Sequence, residues 1–342
     1  MKAMVLNHIG MLNDNPRPLT LIDMPAPVPD GHDVLVMVSV CGVCHSELDE
    51  IEGRTPPPRL PLILGHQVVG RVIAIGSQVA SVKPGERVGV AWIFSACGTC
   101  KFCLSGRENL CADFIATGRD ANGGYAEYMT VTEHFVYRLP ATFSDAEAAP
   151  LLCAGAIGYR ALRLTGLKDG ARLGLTGFGA SGHLVLQMAQ YLFPHSEIYV
   201  FARSGEQRRF ALKLGATWAG ESAQRAPYKL DAIIDTTPAW APIVHALENL
   251  EDGGRLVINA IRKEDDKHSL LALDYPKHLW REKEIKSVAN IARRDVTEFL
   301  NLAAAMPLKP EIQIYRLAEA NQALVELKTG NIRGAKVLQI AR

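Results

Sequence analysis

The first part of the chain carries short apolar runs that are separated by glycine and proline residues. Three of these runs, at residues 34–40, 68–75 and 125–131, have the length and the β-branched or aromatic content of strands. The turn dipeptides Pro84-Gly85 and Gly123-Gly124 fall between such runs. This pattern predicts a mostly β domain.

From about Pro150 the chain alternates short apolar strands with helical runs. Strands are predicted at residues 172–176, 198–201, 232–234 and 255–260, and helices at residues 183–192, 207–214 and 242–250. Such alternation is typical of a parallel, doubly wound sheet. After about Ile285 the pattern is mixed again and ends in a strand-like run at residues 336–340. We therefore predict an α/β fold in which a domain at residues 151–287 is inserted into a β domain formed by residues 1–150 and 288–342.

Composition limits the possible partners and settings. The 342 residues suffice for two domains, and a formal net charge of +1 does not favour nucleic acid or an anionic membrane as partner. The chain has no apolar run of the ~18 residues that a transmembrane helix needs, and its first residues lack the apolar core of a signal peptide. Its seven cysteines are an odd number whose spacing suits metal better than disulfides. We therefore expect a reducing, cytoplasmic setting.

Four cysteines lie close together in one loop-like stretch. Cys97, Cys100, Cys103 and Cys111 form a C-x2-C-x2-C-x7-C run. Four thiolates at this spacing can surround Zn²⁺ tetrahedrally with no position left for water or substrate. We predict a structural zinc site and call these four residues the cysteine cage.

A second set of possible ligands is spread along the chain. Cys44, His66 and Cys153 offer two thiolates and one imidazole, which is a zinc set with a vacant fourth position. This predicts a catalytic zinc, and thus two zinc ions per chain. Alternatively, His66 is a hydrogen-bonded core histidine and Cys153 a small apolar core residue. Cys41 is interpreted as structural, because strand alternation points it away from Cys44's partners.

A glycine-rich turn follows the strand predicted at residues 172–176 and opens a helix. It reads Gly177-Phe178-Gly179-Ala180-Ser181-Gly182, a G-x-G-x-x-G pattern. In this context the glycines permit the turn, the approach of a pyrophosphate and close packing of helix on strand, while the helix N-terminus faces the phosphates. We predict a dinucleotide site here; a glycine-rich turn without a ligand is the alternative.

The choice between the two nicotinamide cofactors depends on the end of the next strand. A carboxylate there would bind the ribose 2′-hydroxyl of NAD, but the sequence has Ala202 followed by Arg203 and Ser204. An arginine and a hydroxyl suit a 2′-phosphate. We therefore prefer NADP over NAD, with a solvated Arg203 and loose cofactor choice as the alternative.

Several of these motifs together resemble one known family. Their order and approximate spacing are similar to those of the zinc-dependent alcohol dehydrogenases of the medium-chain dehydrogenase/reductase family. The motifs are the segment from Gly42 to Glu47, the run that starts Gly65-His66-Gln67, the cysteine cage, the stretch around Cys153 and the Gly177 turn. The resemblance covers essentially the whole chain. It implies a GroES-like, mostly β catalytic domain with an inserted Rossmann domain.

The resemblance also implies an activity. A primary or secondary alcohol, or an aldehyde, would exchange hydride with NAD(P), and the chain would form a homo-dimer or homo-tetramer. Cys44, His66 and Cys153 correspond to the catalytic zinc ligands. Ser46 corresponds to the hydroxyl that takes the alcohol proton and passes it on through the cofactor ribose. His45 corresponds to a residue that faces the cofactor phosphates.

Further residues take roles from the same resemblance. Trp92 corresponds to a position that lines the alcohol pocket, with core packing as the alternative, and Ile51 and Thr55 are further pocket candidates. Arg333 falls near a region that meets the cofactor diphosphate, with a surface arginine as the alternative.

Three positions depart from the family pattern. Gln67 stands where Glu is usual, so the anionic oxygen thought to aid ligand exchange is missing. Glu47 stands in place of Asp and can still reach a partner such as the free nitrogen of His66. Asp49 stands where many members have a relay histidine.

Three other function classes are alternatives. Polyol dehydrogenases often use Glu as the third zinc ligand, so Gln67 weakens that assignment and Cys153 favours an alcohol dehydrogenase. A non-catalytic cofactor-binding relative is disfavoured by the intact Cys44, His66 and Ser46. Quinone reduction is disfavoured because such relatives lack these ligands.

Overall fold

A computed structural model describes residues 1–263, 266–330 and 334–340. The chain forms two compact units. The first unit comprises Met1–Ala156 and Ile291–Arg342, and the second unit comprises Ile157–Asn290. No helix in the described residues combines the length and apolar character that crossing a membrane requires.

The strands of the described residues are, in chain order, β1 (Lys2–Leu6), β2 (Leu19–Asp23), β3 (Asp33–Val43), β4 (Leu62–Ile63), β5 (Val68–Ile75), β6 (Arg87–Val90), β7 (Ile93–Ser95), β8 (Ile115–Ala116), β9 (Tyr128–Thr132), β10 (Val136–Arg138), β11 (Arg172–Thr176), β12 (Glu197–Phe201), β13 (Trp218–Gly220), β14 (Leu230–Asp235), β15 (Leu250–Ile258), β16 (Glu284–Ser287), β17 (Ile312–Arg316) and β18 (Ala335–Gln339).

The α-helices of the same residues are α1 (His45–Ile51), α2 (Lys101–Leu104), α3 (Asp145–Ala148), α4 (Ala154–Thr165), α5 (Gly182–Leu192), α6 (Gly205–Lys213), α7 (Ala241–Asn249), α8 (Tyr275–His278), α9 (Arg293–Ala305) and α10 (Ala320–Lys328). Short 3₁₀ helices lie at Glu108–Leu110, Glu133–Phe135, Ala149–Leu152, Lys267–Ala272 and Leu317–Glu319.

The first unit is built around the long strand β3. Its main sheet has the order β10-β6-β5-β3-β18-β17, and β9 also pairs with β3. One edge of β3 pairs with β9 over residues 33–37 and then with β18 over residues 40–43. Buried side chains such as Val34, Val36 and Val38 join a core to which β1, β5 and α10 also contribute. This core fixes the end of β3, from which the chain enters α1.

The second unit contains one parallel sheet. Its strand order is β13-β12-β11-β14-β15-β16, the order of a dinucleotide-binding Rossmann sheet. Tyr199, Ile233 and Leu256 from three of the strands pack with Leu247 of α7 in a buried cluster. β11 and β14 are neighbours at the centre, where strand order reverses. Ligands of such sheets bind beyond the carboxyl ends of these strands.

The sequence predictions are confirmed for the central strands, but the ends of some elements differ and the edge strands of the second unit were not predicted. β11 has the predicted bounds, and α6 begins before the predicted residue 207 because Ser204 caps it. The strand predicted at 125–131 begins only at Tyr128, because the Tyr125 N–H bonds to the Leu64 carbonyl instead. The edge strands β13 and β16 were not predicted, since short or fully exposed strands lack an apolar run.

Candidate functional site

Cys44 lies at the junction of β3 and α1. Its backbone is extended, with φ −129° and ψ 166°, and it forms the N-cap of α1. The carboxylate of Glu47, in the first turn of the helix, accepts the Cys44 N–H at 2.7 Å. This bond satisfies a helix N-terminal donor and fixes the backbone that carries the thiol.

His66 and Cys153 reach the same place from other parts of the first unit. His66 follows Gly65, whose φ of +98° and contact with the Tyr125 ring exclude a side chain, because a Cβ there would lie 2.4 Å from a ring carbon. Cys153 follows the 3₁₀ helix Ala149–Leu152. The ligand atoms of Cys44, His66 and Cys153 all lie within 4.8 Å of one another, and His66 Nε2 is 3.3 Å from Cys153 Sγ.

This donor set fits zinc. With Zn–S of about 2.3 Å and Zn–N of about 2.0 Å, tetrahedral geometry puts sulfur and nitrogen ligands roughly 3.5 Å apart. The 3.3 Å separation of His66 Nε2 and Cys153 Sγ is close to that spacing. A hydrogen bond from Cys153 lowers the pKa of Cys44 well below its usual range, despite burial. Three donors leave a fourth position free, as catalytic zinc sites require.

The other nitrogen of His66 faces an acid. His66 Nδ1 lies 2.7 Å from Glu47 Oε1, and both side chains are at most 1% exposed. Burial opposes protonation of His66, but the Glu47 carboxylate reverses this and raises the pKa of His66 well above its usual range. Trp92 packs edge-on against the imidazole, with ring centroids 4.8 Å apart. The imidazole is therefore held with Nε2 toward the cysteines.

The cysteine cage also has metal-site geometry. The Sγ atom of Cys97 lies 3.8 Å from that of Cys103 and 3.5 Å from that of Cys111. A tetrahedral ZnS₄ centre requires sulfur–sulfur distances of about 3.8 Å. The Cys97 sulfur accepts the Cys100 N–H, and backbone N–H groups of Thr99 and Cys100 lower the pKa of Cys97 to about 6. The four sulfur atoms are therefore close enough together to hold one ion.

The cage loop is anchored within the first unit by a buried acid. Glu108, in the 3₁₀ helix between Cys103 and Cys111, is 3% exposed. Its Oε1 accepts bonds from Nε and Nη2 of Arg293 at 2.8 and 2.7 Å. The Arg293 guanidinium also stacks over Phe135. The two members of this pair are 185 residues apart, so no local sequence pattern predicts their contact.

The two remaining family departures have definite surroundings. Gln67 is buried, and a Cβ on Gly42 would lie 2.6 Å from its Oε1, so Gly42 leaves room for the amide. Asp49 is fully buried and accepts a bond from Arg54 Nε at 2.6 Å. Arg54 also donates to Glu52. Asp49 is thus half of an ion pair rather than a free base.

Glu50, which lies on α1 three residues after Glu47, was not predicted from the sequence. It is 1% exposed, and neither carboxyl oxygen has a hydrogen-bond partner among the described residues. Burial, then the nearby Glu47 charge, raise the pKa of Glu50 well above its usual range. The helix sequence HSELDEI has polar residues on every face, so no amphipathic pattern marks the buried acid.

The other predicted residues around this site differ in exposure. Ser46 is 5% exposed, with Oγ 3.7 Å from Cys44 Sγ, while His45 is exposed. Ile51 is fully buried in the core of the first unit, to which Trp92 also belongs. Thr55 has a buried hydroxyl without a hydrogen-bond partner in the described part of the chain.

The glycine-rich turn of the second unit has the predicted division of roles. Gly177 has φ +85°, and a Cβ there would lie 2.6 Å from Thr236 Oγ1. A Cβ on Gly182 would lie 2.8 Å from the Gly177 carbonyl oxygen. By contrast, nothing lies within 4 Å of the Cβ position of Gly179. Two glycines are thus needed for packing, and the open space at Gly179 suits an approaching pyrophosphate. Ala180 and Ser181 lead from it into α5.

Two arginine side chains, those of Arg203 and Arg208, lie at the end of β12. Ala202 is buried, Arg203 is exposed, and the Ser204 hydroxyl accepts the Glu206 N–H at 3.2 Å as the N-cap of α6. Arg208 Nη1 donates to the carbonyls of Ala202 and Arg203, both at 2.8 Å. This contact holds a second guanidinium beside the strand end. Arg333 lies outside the described residues.

Comparison with known proteins finds related sequences over nearly the whole chain. The family profile "Alcohol dehydrogenase GroES-like domain" matches residues 30–141. The curated "Probable alcohol dehydrogenase AdhA" of Mycobacterium tuberculosis is 42% identical over 99% of this chain and 97% of its own length. An alcohol dehydrogenase of Geobacillus stearothermophilus is 31% identical over 99% of both chains.

Solved structures share the whole architecture. A cinnamyl alcohol dehydrogenase of Sorghum bicolor superposes with a TM-score of 0.83 at 26% identity, covering 99% of this chain and 97% of the other. An NAD-dependent alcohol dehydrogenase gives a TM-score of 0.88 over the full length of both chains, and at 24% identity it is informative about the fold alone.

Proposed function

The chain belongs to the zinc-dependent alcohol dehydrogenases of the medium-chain dehydrogenase/reductase family, and on that premise we propose how its own residues perform the reaction. It is an oxidoreductase that interconverts an alcohol and the corresponding carbonyl compound, with NAD(P) as the hydride carrier. Its substrate is a small molecule. Because the third donor of the site is the Cys153 thiol rather than a carboxylate, we do not favour a polyol dehydrogenase.

We propose that Cys44, His66 and Cys153 hold the catalytic zinc. The observation that carries this proposal is the meeting of their three ligand atoms within 4.8 Å, with His66 Nε2 facing Cys153. Zinc in this set would supply a Lewis acid that lowers the pKa of an alcohol hydroxyl at its open position. Glu47 orients the imidazole from behind, through the contact with Nδ1. We likewise propose that the cysteine cage holds the structural zinc.

We propose that Ser46 receives the alcohol proton. Its Oγ lies 3.7 Å from Cys44 Sγ, so the hydroxyl is adjacent to the proposed open position. The Asp49 carboxylate already pairs with the Arg54 guanidinium, so we do not propose it as the acceptor that takes the proton on from Ser46.

We propose NADP as the preferred cofactor. The end of β12 presents no carboxylate for a ribose 2′-hydroxyl, and the Arg203 side chain is exposed there beside the Ser204 N-cap. The Arg208 guanidinium is held at the same strand end through its bonds to the carbonyls of Ala202 and Arg203. Arg203→Ala should raise the KM for NADPH about tenfold, the effect of losing one charge-assisted contact, and leave the KM for NADH unchanged. An unaltered NADPH KM would contradict the preference.

We propose that the chain forms homo-oligomers through the edge of the second unit's sheet. In the described residues β16 pairs only with β15, and all four of its residues are exposed. The apolar side chain of Ile285 in β16 is exposed, as are those of Tyr275 and Trp280, which precede β16 in the chain. An open, partly apolar edge favours pairing with a second copy. Light scattering should give a dimer or tetramer for the native chain and a smaller species for Ile285→Lys; a monomeric native chain would contradict it.

We further propose a cytoplasmic location, supported by cysteines that are all free thiols.

The proposed activity is tested by measuring initial rates with NADPH and NADH on a panel of aliphatic and aromatic aldehydes. Turnover that is lost on adding a zinc chelator supports the account. No turnover with either cofactor, in protein that holds two zinc ions per chain, would contradict the substrate class.

A further inference from the structure

Two histidines and one glutamate meet in the first unit without any cysteine. Glu133 and His134 begin the 3₁₀ helix that follows β9, and His32 directly precedes β3. One ligand atom from each of the three residues lies within 4.8 Å of the others. The imidazole rings of His32 and His134 are 5.6 Å apart. The reaction described above uses none of these residues.

The carboxylate at the centre is rigidly held. Glu133 is 5% exposed, and its Oε2 accepts the backbone N–H groups of Ala80 and Ser81 at 2.9 and 2.8 Å. Oε1 is left to face His32 Nδ1 at 2.8 Å. Although burial favours the neutral acid, bonds from His32, Ser81 and Ala80 lower the pKa of Glu133 to about 2. The group is thus an anionic ligand at neutral pH, and bonds to its other oxygen fix its direction, as around known metal ligands.

The histidines supply access from solvent. The His32 side chain is 51% exposed, and His134 is exposed as well. An ion bound between them could therefore exchange with solvent and complete its coordination with water. Imidazole nitrogen and carboxylate oxygen are ligands shared by zinc, copper and nickel.

The donor types favour copper among these ions. At a site of nitrogen and oxygen ligands, affinity generally rises from Ni²⁺ to Cu²⁺ and is lower again for Zn²⁺. His32 Nδ1 and Glu133 Oε1, which lie 2.8 Å apart, are near enough to bind one ion together.

We propose that His32, Glu133 and His134 form a third metal site, at the surface of the first unit, which takes Ni²⁺ and binds Cu²⁺ more tightly than Zn²⁺. The ion replaces the hydrogen bond between His32 and Glu133. It links the segment that enters β3 with the 3₁₀ helix after β9, and through Glu133 with Ala80 and Ser81. Binding to the folded state alone raises the thermal stability of the chain.

The test is calorimetric titration of Ni²⁺ into the untagged, zinc-loaded protein. We expect one Ni²⁺ per chain to bind while both zinc ions stay, as measured by elemental analysis after the titration. His134→Ala should weaken nickel binding at least about tenfold, the cost of losing one strong ligand contact, as should His32→Ala. The matched control is His8→Ala, an exposed histidine of the same unit outside the cluster, which should bind nickel like the native chain.

A second measurement identifies the ligands independently of affinity. The electron paramagnetic resonance spectrum of one equivalent of Cu²⁺ should show coupling to two imidazole nitrogens in the native chain and to one in His134→Ala. Nickel affinity equal to the native value in both His32→Ala and His134→Ala would overturn the proposal. So would nickel uptake that occurs only with release of zinc.

Discussion

Replacing Glu47 by glutamine tests the proposed role of the acid behind His66. Glu47 Oε1 lies 2.7 Å from His66 Nδ1, and its other oxygen accepts the Cys44 N–H. Glutamine has nearly the same shape and can keep the bond to Cys44, but then its NH₂ group faces the N–H of His66. An imidazole that binds zinc through Nε2 carries its proton on Nδ1. In the variant this N–H would face another hydrogen-bond donor, the glutamine NH₂, instead of the Glu47 carboxylate.

The expected magnitude follows from comparable metal sites. Loss of an outer partner of a zinc-bound histidine lowers metal affinity or activity roughly 10–100-fold, which corresponds to about 1.4–2.8 kcal/mol. The contact in this protein is almost fully buried and involves a charge, so we expect the upper part of that range for Glu47→Gln.

The assay is competition for the catalytic zinc between the protein and a chromophoric chelator, with the cysteine cage left loaded. The matched control is Glu50→Gln, because Glu50 is also a buried acid of α1 but has no hydrogen-bond partner among the described residues. Glu50→Gln should leave zinc affinity within about threefold of the native value. Equal zinc affinity in Glu47→Gln and the native chain, or an equal loss in both variants, would refute the reasoning.

Three further perturbations test groups that stabilise the folded chain. Cys103→Ser should remove one zinc per chain and lower the melting temperature; two retained zinc ions and an unchanged melting temperature would argue against the cage. Lys336 is fully buried and hydrogen-bonded to Glu326 and Tyr315. Lys336→Met should lower the free energy of unfolding, measured in urea, by about 3 kcal/mol, because it leaves the charge of Glu326 without its partner. A loss under about 1 kcal/mol would contradict this. Bonds from Tyr315, then others including Lys336, lower the pKa of Glu326 from 4.5 to about 2. The stabilisation by the Glu326 carboxylate should therefore be complete above pH 4.5 and disappear as the pH falls toward 2. Glu326→Gln should lower the free energy of unfolding by about 1–2 kcal/mol at pH 7 and weaken its decrease at acid pH. An unchanged dependence of stability on pH would exclude the effect.

Local sequence patterns were sufficient for the fold class and for the proximity of the four cage cysteines. The Rossmann strands next to the Gly177 turn are buried on both faces, so they appear as continuous apolar runs. The four cage cysteines lie within 15 residues, so their meeting follows from chain connectivity. The meeting of Cys44, His66 and Cys153 could not be derived from spacing, and it was predicted from their donor types and from the family resemblance.

Features that depend on long-range packing were not predictable. β16 carries the sequence EIKS and is exposed throughout, so no alternation marks it. Glu50 is buried because of what covers α1, which the helix sequence does not encode. His32 and Glu133 are 101 residues apart, and only the pairing of β9 with the start of β3 brings them together.

The central claim is that Cys44, His66 and Cys153 hold the catalytic zinc. It is tested most directly by measuring zinc content, cofactor binding and turnover together in Cys153→Ala. The account predicts one zinc per chain instead of two, unchanged binding of NADPH and no detectable turnover. Two zinc ions per chain with turnover at the native rate would contradict it.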